Sequence, residues 1–186
     1  MMNLGTLSLT SRLILAPMAG ITDLPYRCLM KQAGAALVFT EMVSANGLAR
    51  QARNTRELLR SSPEEQPLGI QLFGSEPDIV ARAASEASEF GAVIDLNFGC
   101  PAPKVIRAGA GSALLRDPRR IGRIVAAARR ATALPLTVKL RSGWDAATIN
   151  CAEVAAIACA EGADAVTLHP RTRSQGFGGN ADWTLI

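Results

Sequence analysis

Asp95, Asn97 and Cys100 fall in one short stretch, Asp95-Leu96-Asn97-Phe98-Gly99-Cys100-Pro101. A thiol next to a carboxylate and an amide is a candidate acid or nucleophile. Just upstream, Ala92, Val93, Ile94 and Leu96 are small or apolar and read as a buried parallel strand. Gly99 and Pro101 stop that strand, so Cys100 is expected just past its C-terminal end. In a (β/α)8 barrel this end is the face on which the βα loops build active sites. The competing reading makes Cys100 a small buried hydrophobe, as most free cysteines are. Loops held by a rigid scaffold are where function concentrates, and spacing alone leaves both readings standing.

Other polar residues crowd the C-terminal ends of apolar runs. They are Pro17-Met18-Ala19 after the first run, Glu41 after the second, Gln71 on the third, Lys139 and Arg141 on the fifth, and His169 and Arg171 on the sixth. Each has an innocent explanation. Gln71 could be a satisfied core amide, Lys139 could snorkel to solvent, and His169 could be structural. Burying all three among apolar strands would be costly without partners, whereas one shared face of one barrel accounts for them together. That face offers a cation, an amide that donates and accepts, a histidine and free backbone groups. It suits a flat, heteroatom-rich ring whose edge takes up electrons, because a lysine and a histidine stabilise the negative charge of reduction. Flavin is the obvious candidate.

Strands and helices must alternate to present these residues so. Leu13 to Met18, Leu37 to Met42, Leu68 to Phe73, the run before Gly99, Leu136 to Leu140 and Ala165 to Leu168 read as strands. Helices are expected from about Leu24 to Gly34, Asn46 to Arg60, after Ser75-Glu76-Pro77-Asp78 (a capping-box pattern), after Asp117-Pro118, and from Thr148 to Glu161. Ala108 to Ser112 reads as a flexible glycine-rich loop. The Asp117 helix has an apolar stripe of Ile121, Ile124, Val125 and Ala128 and an outer face of Arg119, Arg120, Arg123, Arg129 and Arg130. Alternation argues a parallel sheet. An open doubly wound sheet lacks its GxGxxG after the first strand, so an incomplete (β/α)8 TIM barrel of about six βα units is the better reading.

Composition narrows the class. The chain has 186 residues, 48% apolar and 19% charged, which fits one soluble globular domain. No apolar run reaches the ~18 residues of a membrane span, and Met1 to Arg12 lacks a signal-peptide pattern, so a cytoplasmic protein without membrane contact is expected. Four cysteines without CxxC spacing and a single histidine support neither a disulfide framework nor a metal site. The formal charge of +4 permits a polyanionic partner without demanding one.

Four stretches carry a resemblance: Ala16-Pro17-Met18-Ala19-Gly20-Ile21-Thr22-Asp23, Asp95 to Pro101, Val138-Lys139-Leu140-Arg141-Ser142-Gly143-Trp144 and Leu168-His169-Pro170-Arg171-Thr172-Arg173. In this order and spacing they resemble the tRNA-dihydrouridine synthase family, nearest its bacterial B-type branch. The resemblance implies an FMN enzyme built on a TIM barrel followed by a helical RNA-binding domain. Reduced FMN passes hydride to C6 of a tRNA uridine, the motif cysteine protonates C5, and NADPH regenerates the flavin. Carried over residue by residue, Cys100 is the proton donor. Pro17, Met18, Ala19, Gln71, Lys139 and His169 hold FMN. Asn97 faces the uracil, and Lys104 and Arg141 lie along the RNA approach.

Family members are longer. Residues 1–186 are therefore expected to be the N-terminal part of the catalytic barrel, inactive alone, with the last strands, the helical domain and the FMN phosphate grip beyond Ile186. Two alternatives are a truncated, non-catalytic remnant that at most binds RNA through its arginines, and an FMN barrel acting on free pyrimidines, like a dihydroorotate dehydrogenase. The modified uridine and the oligomeric state are not legible.

Overall fold

Side-chain alternation along the strands divides the molecule into an apolar outer layer and a polar interior. The computed structural model describes residues 2–186. In chain order its elements are β1 (Met2–Leu4), β2 (Leu7–Leu9), α1 (Leu24–Gln32), β3 (Val38–Phe39), β4 (Val43–Ser44), α2 (Ala45–Ala49), α3 (Arg53–Glu57), β5 (Leu68–Phe73), α4 (Pro77–Ala87), β6 (Val93–Phe98), α5 (Pro103–Arg107), α6 (Pro118–Ala131), β7 (Leu136–Arg141), α7 (Cys151–Ala160) and β8 (Ala165–His169). β3, β5, β6, β7 and β8 pair in that order, all parallel, and β4 pairs with the far end of β5. The sheet is part of a (β/α) barrel.

Strand side chains alternate with period two. Leu68, Ile70, Leu72, Ile94, Leu96, Phe98, Leu136, Val138 and Leu140 are buried in one cluster with the inner faces of α4, α6 and α7. The opposite parity, Gln71, Asp95, Asn97, Thr137, Lys139 and Arg141, is left for the barrel interior. A parallel strand that is apolar on one face and polar on the other is committed to this orientation, because a one-residue slip would drive charges into the helix layer.

The floor of the barrel is closed by a β-hairpin that sequence patterning does not reveal. β1 and β2 pair antiparallel, and Leu4 and Leu9 are buried with Ala36, Leu37, Phe39 and Val93 at the strand N-termini. Phe39 lies over Gly69, where an added Cβ would come within 2.2 Å of the ring.

Several expectations are corrected. The expected first strand, Leu13 to Met18, is reduced to a parallel bridge between Ile14 and Leu37, because Pro17 has no N–H to extend the ladder and the residues after it form a turn. The helix expected over Asn46 to Arg60 is two short helices, α2 and α3, separated at Gln51, which takes φ 52°. The capping box at Ser75 is absent. Glu76 is the N-cap without a side-chain bond, and the Ser75 hydroxyl instead donates to the Ala108 carbonyl at 3.1 Å. α7 starts at Cys151 rather than Thr148. The glycine-rich stretch expected as a flexible loop is packed. Residues Gly111–Arg116 form a 3-10 helix in which Gly111, Ser112, Leu114 and Leu115 are buried.

Candidate active site

A cavity of about 1010 Å³ opens at the C-terminal ends of the strands and receives Pro17, Met18, Ala19, Gln71, Asn97, Cys100, Lys139, Arg141 and His169. This is the size of a cofactor pocket. Of the ten residues to which the resemblance gives a role, nine reach it. Lys104 does not; it sits on α5, outside the cavity lining.

The turn bearing Met18 and Ala19 is held from both sides. Buried Thr22 accepts from the Met18 N–H and donates to the Met18 carbonyl, each at 3.1 Å. The Gly20 N–H donates to the Glu41 carboxylate. Behind it, Arg27 and Glu65 form a buried ion pair, and Arg27 also donates to the Thr22 carbonyl at 2.7 Å. Nothing in the local pattern around Arg27 or Glu65 announces this pair, which joins residues 38 apart.

Cys100 is the end of a hydrogen-bonded chain through the interior. Thr137 Oγ1 donates to Asp95 Oδ1 at 2.5 Å. Gln71 Nε2 donates to Asp95 Oδ2 at 2.6 Å. Asn97 Nδ2 donates to Gln71 Oε1 at 2.9 Å. Asn97 Oδ1 then accepts from the backbone N–H of Gly99 at 3.1 Å and of Cys100 at 2.9 Å. On the other side, the Cys100 carbonyl accepts from Ser112 N–H and Ser112 Oγ. Gly111 permits that approach, since a Cβ there would lie 2.8 Å from the Cys100 carbonyl oxygen. Thr137 and Ser112 were missed from sequence because each matters only through its tertiary partner.

Electrostatically the interior is positive. Lys139 makes no ion pair or hydrogen bond among the described residues and faces the cavity. Burial pulls its pKa down, Asp95 opposes this, and Arg141 adds to it. Burial pushes the Asp95 carboxyl up, against hydrogen bonds from Thr137 and Gln71 and the charge of Lys139. His169 is lowered to about 4, by burial first and then by Arg141, Lys139 and Arg171, so its imidazole is neutral near pH 7 and Nε2 is free to accept from Arg171 at 3.3 Å.

Arg141 is only 2% exposed. Its guanidinium donates to the carbonyls of Gly99 at 3.0 Å, Thr172 at 2.8 Å and Gly176 at 2.7 Å. It therefore ties the loop after β6 to the loop after β8. At the rim, Arg116 and Arg173 each stack near the Trp144 ring, at 5.1 and 4.5 Å from its centroid. The α6 arginines are partly spoken for. Arg120 bonds to Ser75 and Glu76, and Arg129 to Asp164, Thr132 and Leu134.

A sequence model described as dihydrouridine synthase matches residues 14–186. The chain belongs to the dihydrouridine synthase family. It is 44% identical over 190 residues to a "Probable tRNA-dihydrouridine synthase" of Rickettsia typhi, covering 100% of this chain and 58% of that protein. It is 42% identical over 184 residues to the "tRNA-dihydrouridine synthase B" of Pseudomonas aeruginosa, covering 98% and 55%. A Synechocystis protein, "Probable tRNA-dihydrouridine synthase 1", is 42% identical over 187 residues, covering 100% and 52%. The chain thus spans little more than half the length of these dihydrouridine synthases. The residues the family model matches take in every cavity residue named above, and the hairpin floor precedes them.

Proposed function

We propose that the complete protein reduces uridines of tRNA to 5,6-dihydrouridine, with FMN in the cavity and NADPH as reductant. The observation that carries this reading is the convergence of a cysteine with an anchored backbone, a half-buried ammonium without a hydrogen-bond or ion-pair partner among the described residues, a neutral histidine and an amide on one cavity of cofactor size. Flavin is the group that fits. Lys139, the remaining Nε2 hydrogen of Gln71 and the Pro17–Ala19 turn would hold its ring, and when bound it would supply hydride chemistry.

The chain's own residues do the rest. Lys139 and His169 offset negative charge as it develops in a water-poor site. Cys100, at the cavity mouth, gives its thiol proton to C5 of the uracil, the acid step of the reduction. Asn97 has both Oδ1 lone pairs and one Nδ2 hydrogen engaged, which leaves one N–H for a uracil carbonyl. Lys104, together with Arg116 and Arg173 stacked on Trp144, supplies phosphate contacts; a guanidinium that stacks by its face keeps its N–H edge free. Arg141 shapes the mouth rather than meeting RNA. We assign the remaining barrel strands, the flavin phosphate grip and a helical RNA-binding domain to the additional length seen in the relatives, and expect action in the cytoplasm.

The test is to incubate the complete protein with FMN, NADPH and unmodified tRNA, then digest and weigh the nucleosides. Dihydrouridine in tRNA but not from free uracil compounds is expected. No product, or equal reduction of free pyrimidines, overturns the proposal.

A further inference from the structure

The hydrogen-bonded chain that ends at Cys100 has a direction. Backbone N–H groups cannot accept, so Asn97 must turn Oδ1 toward Gly99 and Cys100. Its Nδ2 then faces Gln71, which must present Oε1. Gln71 is left with Nε2 toward residue 95, where only an acceptor satisfies it. All of this is buried or half-buried, where a donor facing a donor has no water to relieve it.

We infer that Asp95 is a positioning residue, whose acceptor sets the direction of the Gln71–Asn97 amide relay and so holds the backbone of Cys100. The direction does not depend on the charge of the carboxyl. A proton on its Thr137 side leaves Oδ2 accepting from Gln71 as before. What residue 95 supplies is an acceptor at one point in space, and the same is true of the oxygen that residue 97 turns to the Cys100 loop. The relay can therefore be rebuilt backwards. A carboxylate at 97 accepts from Gly99, Cys100 and Gln71 Nε2, and an amide at 95 donates to Gln71 Oε1 while accepting from Thr137. The two positions lie two apart on β6 and are joined through side-chain hydrogen bonds only by way of Gln71 on β5, so a general stabilising role for Asp95 provides no reason for such a swap to work.

The test uses the complete protein and two readouts that need no turnover: hydrogen exchange of the Gly99 and Cys100 amides, and the rate of Cys100 alkylation by iodoacetamide, read by peptide mass. N97D alone sets two carboxyls around one amide. It should speed exchange and alkylation about tenfold, the size of an ordinary coupling between bonded neighbours. D95L removes the acceptor and should act in the same direction. D95N/N97D should return both readouts to within about twofold of the parent, so that a second substitution repairs the first. A double variant no better than N97D, or one that fails to fold where N97D folds, overturns the inference, as does an N97D protein indistinguishable from the parent. If D95L does not fold, the N97D pair still decides. The consequence for catalysis rests on the reading of Cys100 as proton donor, but the readouts do not, so failure of one is distinguishable from failure of the other.

Discussion

Lys139 is the residue whose burial makes least sense without a ligand. Its stem lies on β7 between Val138 and Leu140, both fully buried, and its ammonium faces the cavity. Even half-buried, an unpaired cation is costly, and Asp95 offsets only part of the desolvation. Lys139→Met keeps much of the volume. It should weaken FMN retention about ten- to a hundredfold, the worth of one charge-assisted hydrogen bond of ~1.5–3 kcal/mol, with an unchanged circular dichroism spectrum. A variant that unfolds while its bound flavin reacts normally would make Lys139 structural. His169 yields a pH prediction for the flavin-free protein. Its pKa falls from the ordinary value near ~6.5 to about 4 on folding, so between those limits the unfolded chain binds more protons. The stability attached to neutral His169 is therefore full above the ordinary value and is lost as pH falls toward 4. Urea midpoints of the parent should decline relative to His169→Gln over that window, and parallel curves would count against the shift. An anionic cofactor beside the ring would draw the pKa back up.

At the scale of elements, the loop after β6 and the 3-10 helix at Gly111 act as one clamp on Cys100. Two glycines of this segment share a left-handed backbone, Gly109 at φ 70° and Gly111 at φ 60°. They differ in space. A Cβ on Gly109 meets nothing closer than 3.7 Å, whereas one on Gly111 meets the Cys100 carbonyl at 2.8 Å. Gly109→Ala should cost only backbone strain, ~1–2 kcal/mol, and leave Cys100 in place. Gly111→Ala should cost ~1–3 kcal/mol more from overpacking and lower turnover, because the clamp must open. Thermal melts and alkylation of Cys100 check both; equal effects at the two sites would remove the clamp. The sequence made Cys100 and its strand legible because Gly99 and Pro101 punctuate an apolar run. It hid the clamp, since Ala108 to Ser112 has the composition of a flexible loop and its order comes from Cys100, Ser75 and Val105, which are distant in the chain or contribute through backbone atoms.

For the whole molecule, the incomplete barrel and the shared face of its polar residues could be read from the sequence because most strands are punctuated, alternate with helices and carry polar residues at their C-terminal ends. The β-hairpin floor could not, as its strands of three residues each carry too little pattern and are stabilised by Ala36, Phe39 and Val93 beneath the barrel. The Arg27–Glu65 pair and the carbonyl contacts of Arg141 escaped for the same reason: charged residues read as surface until a partner buries them. The sequence also suggested Arg141 as an RNA contact; at 2% exposure its guanidinium joins two loops through carbonyl bonds, a feature the sequence did not announce. These features serve a single arrangement, a cysteine loop held at a cavity that on the proposed function takes a reducible ring. The most direct measurement is a single turnover. The complete protein, parent and Cys100→Ala, is loaded with FMN, reduced with NADPH, mixed with unmodified tRNA and followed by flavin absorbance. The account predicts equal reduction by NADPH in both, prompt reoxidation by tRNA in the parent, and reoxidation slowed on the order of 10²–10⁴ in the variant, as for the loss of a positioned acid. Reoxidation at the parent rate in Cys100→Ala, or none by tRNA in either protein, would contradict it.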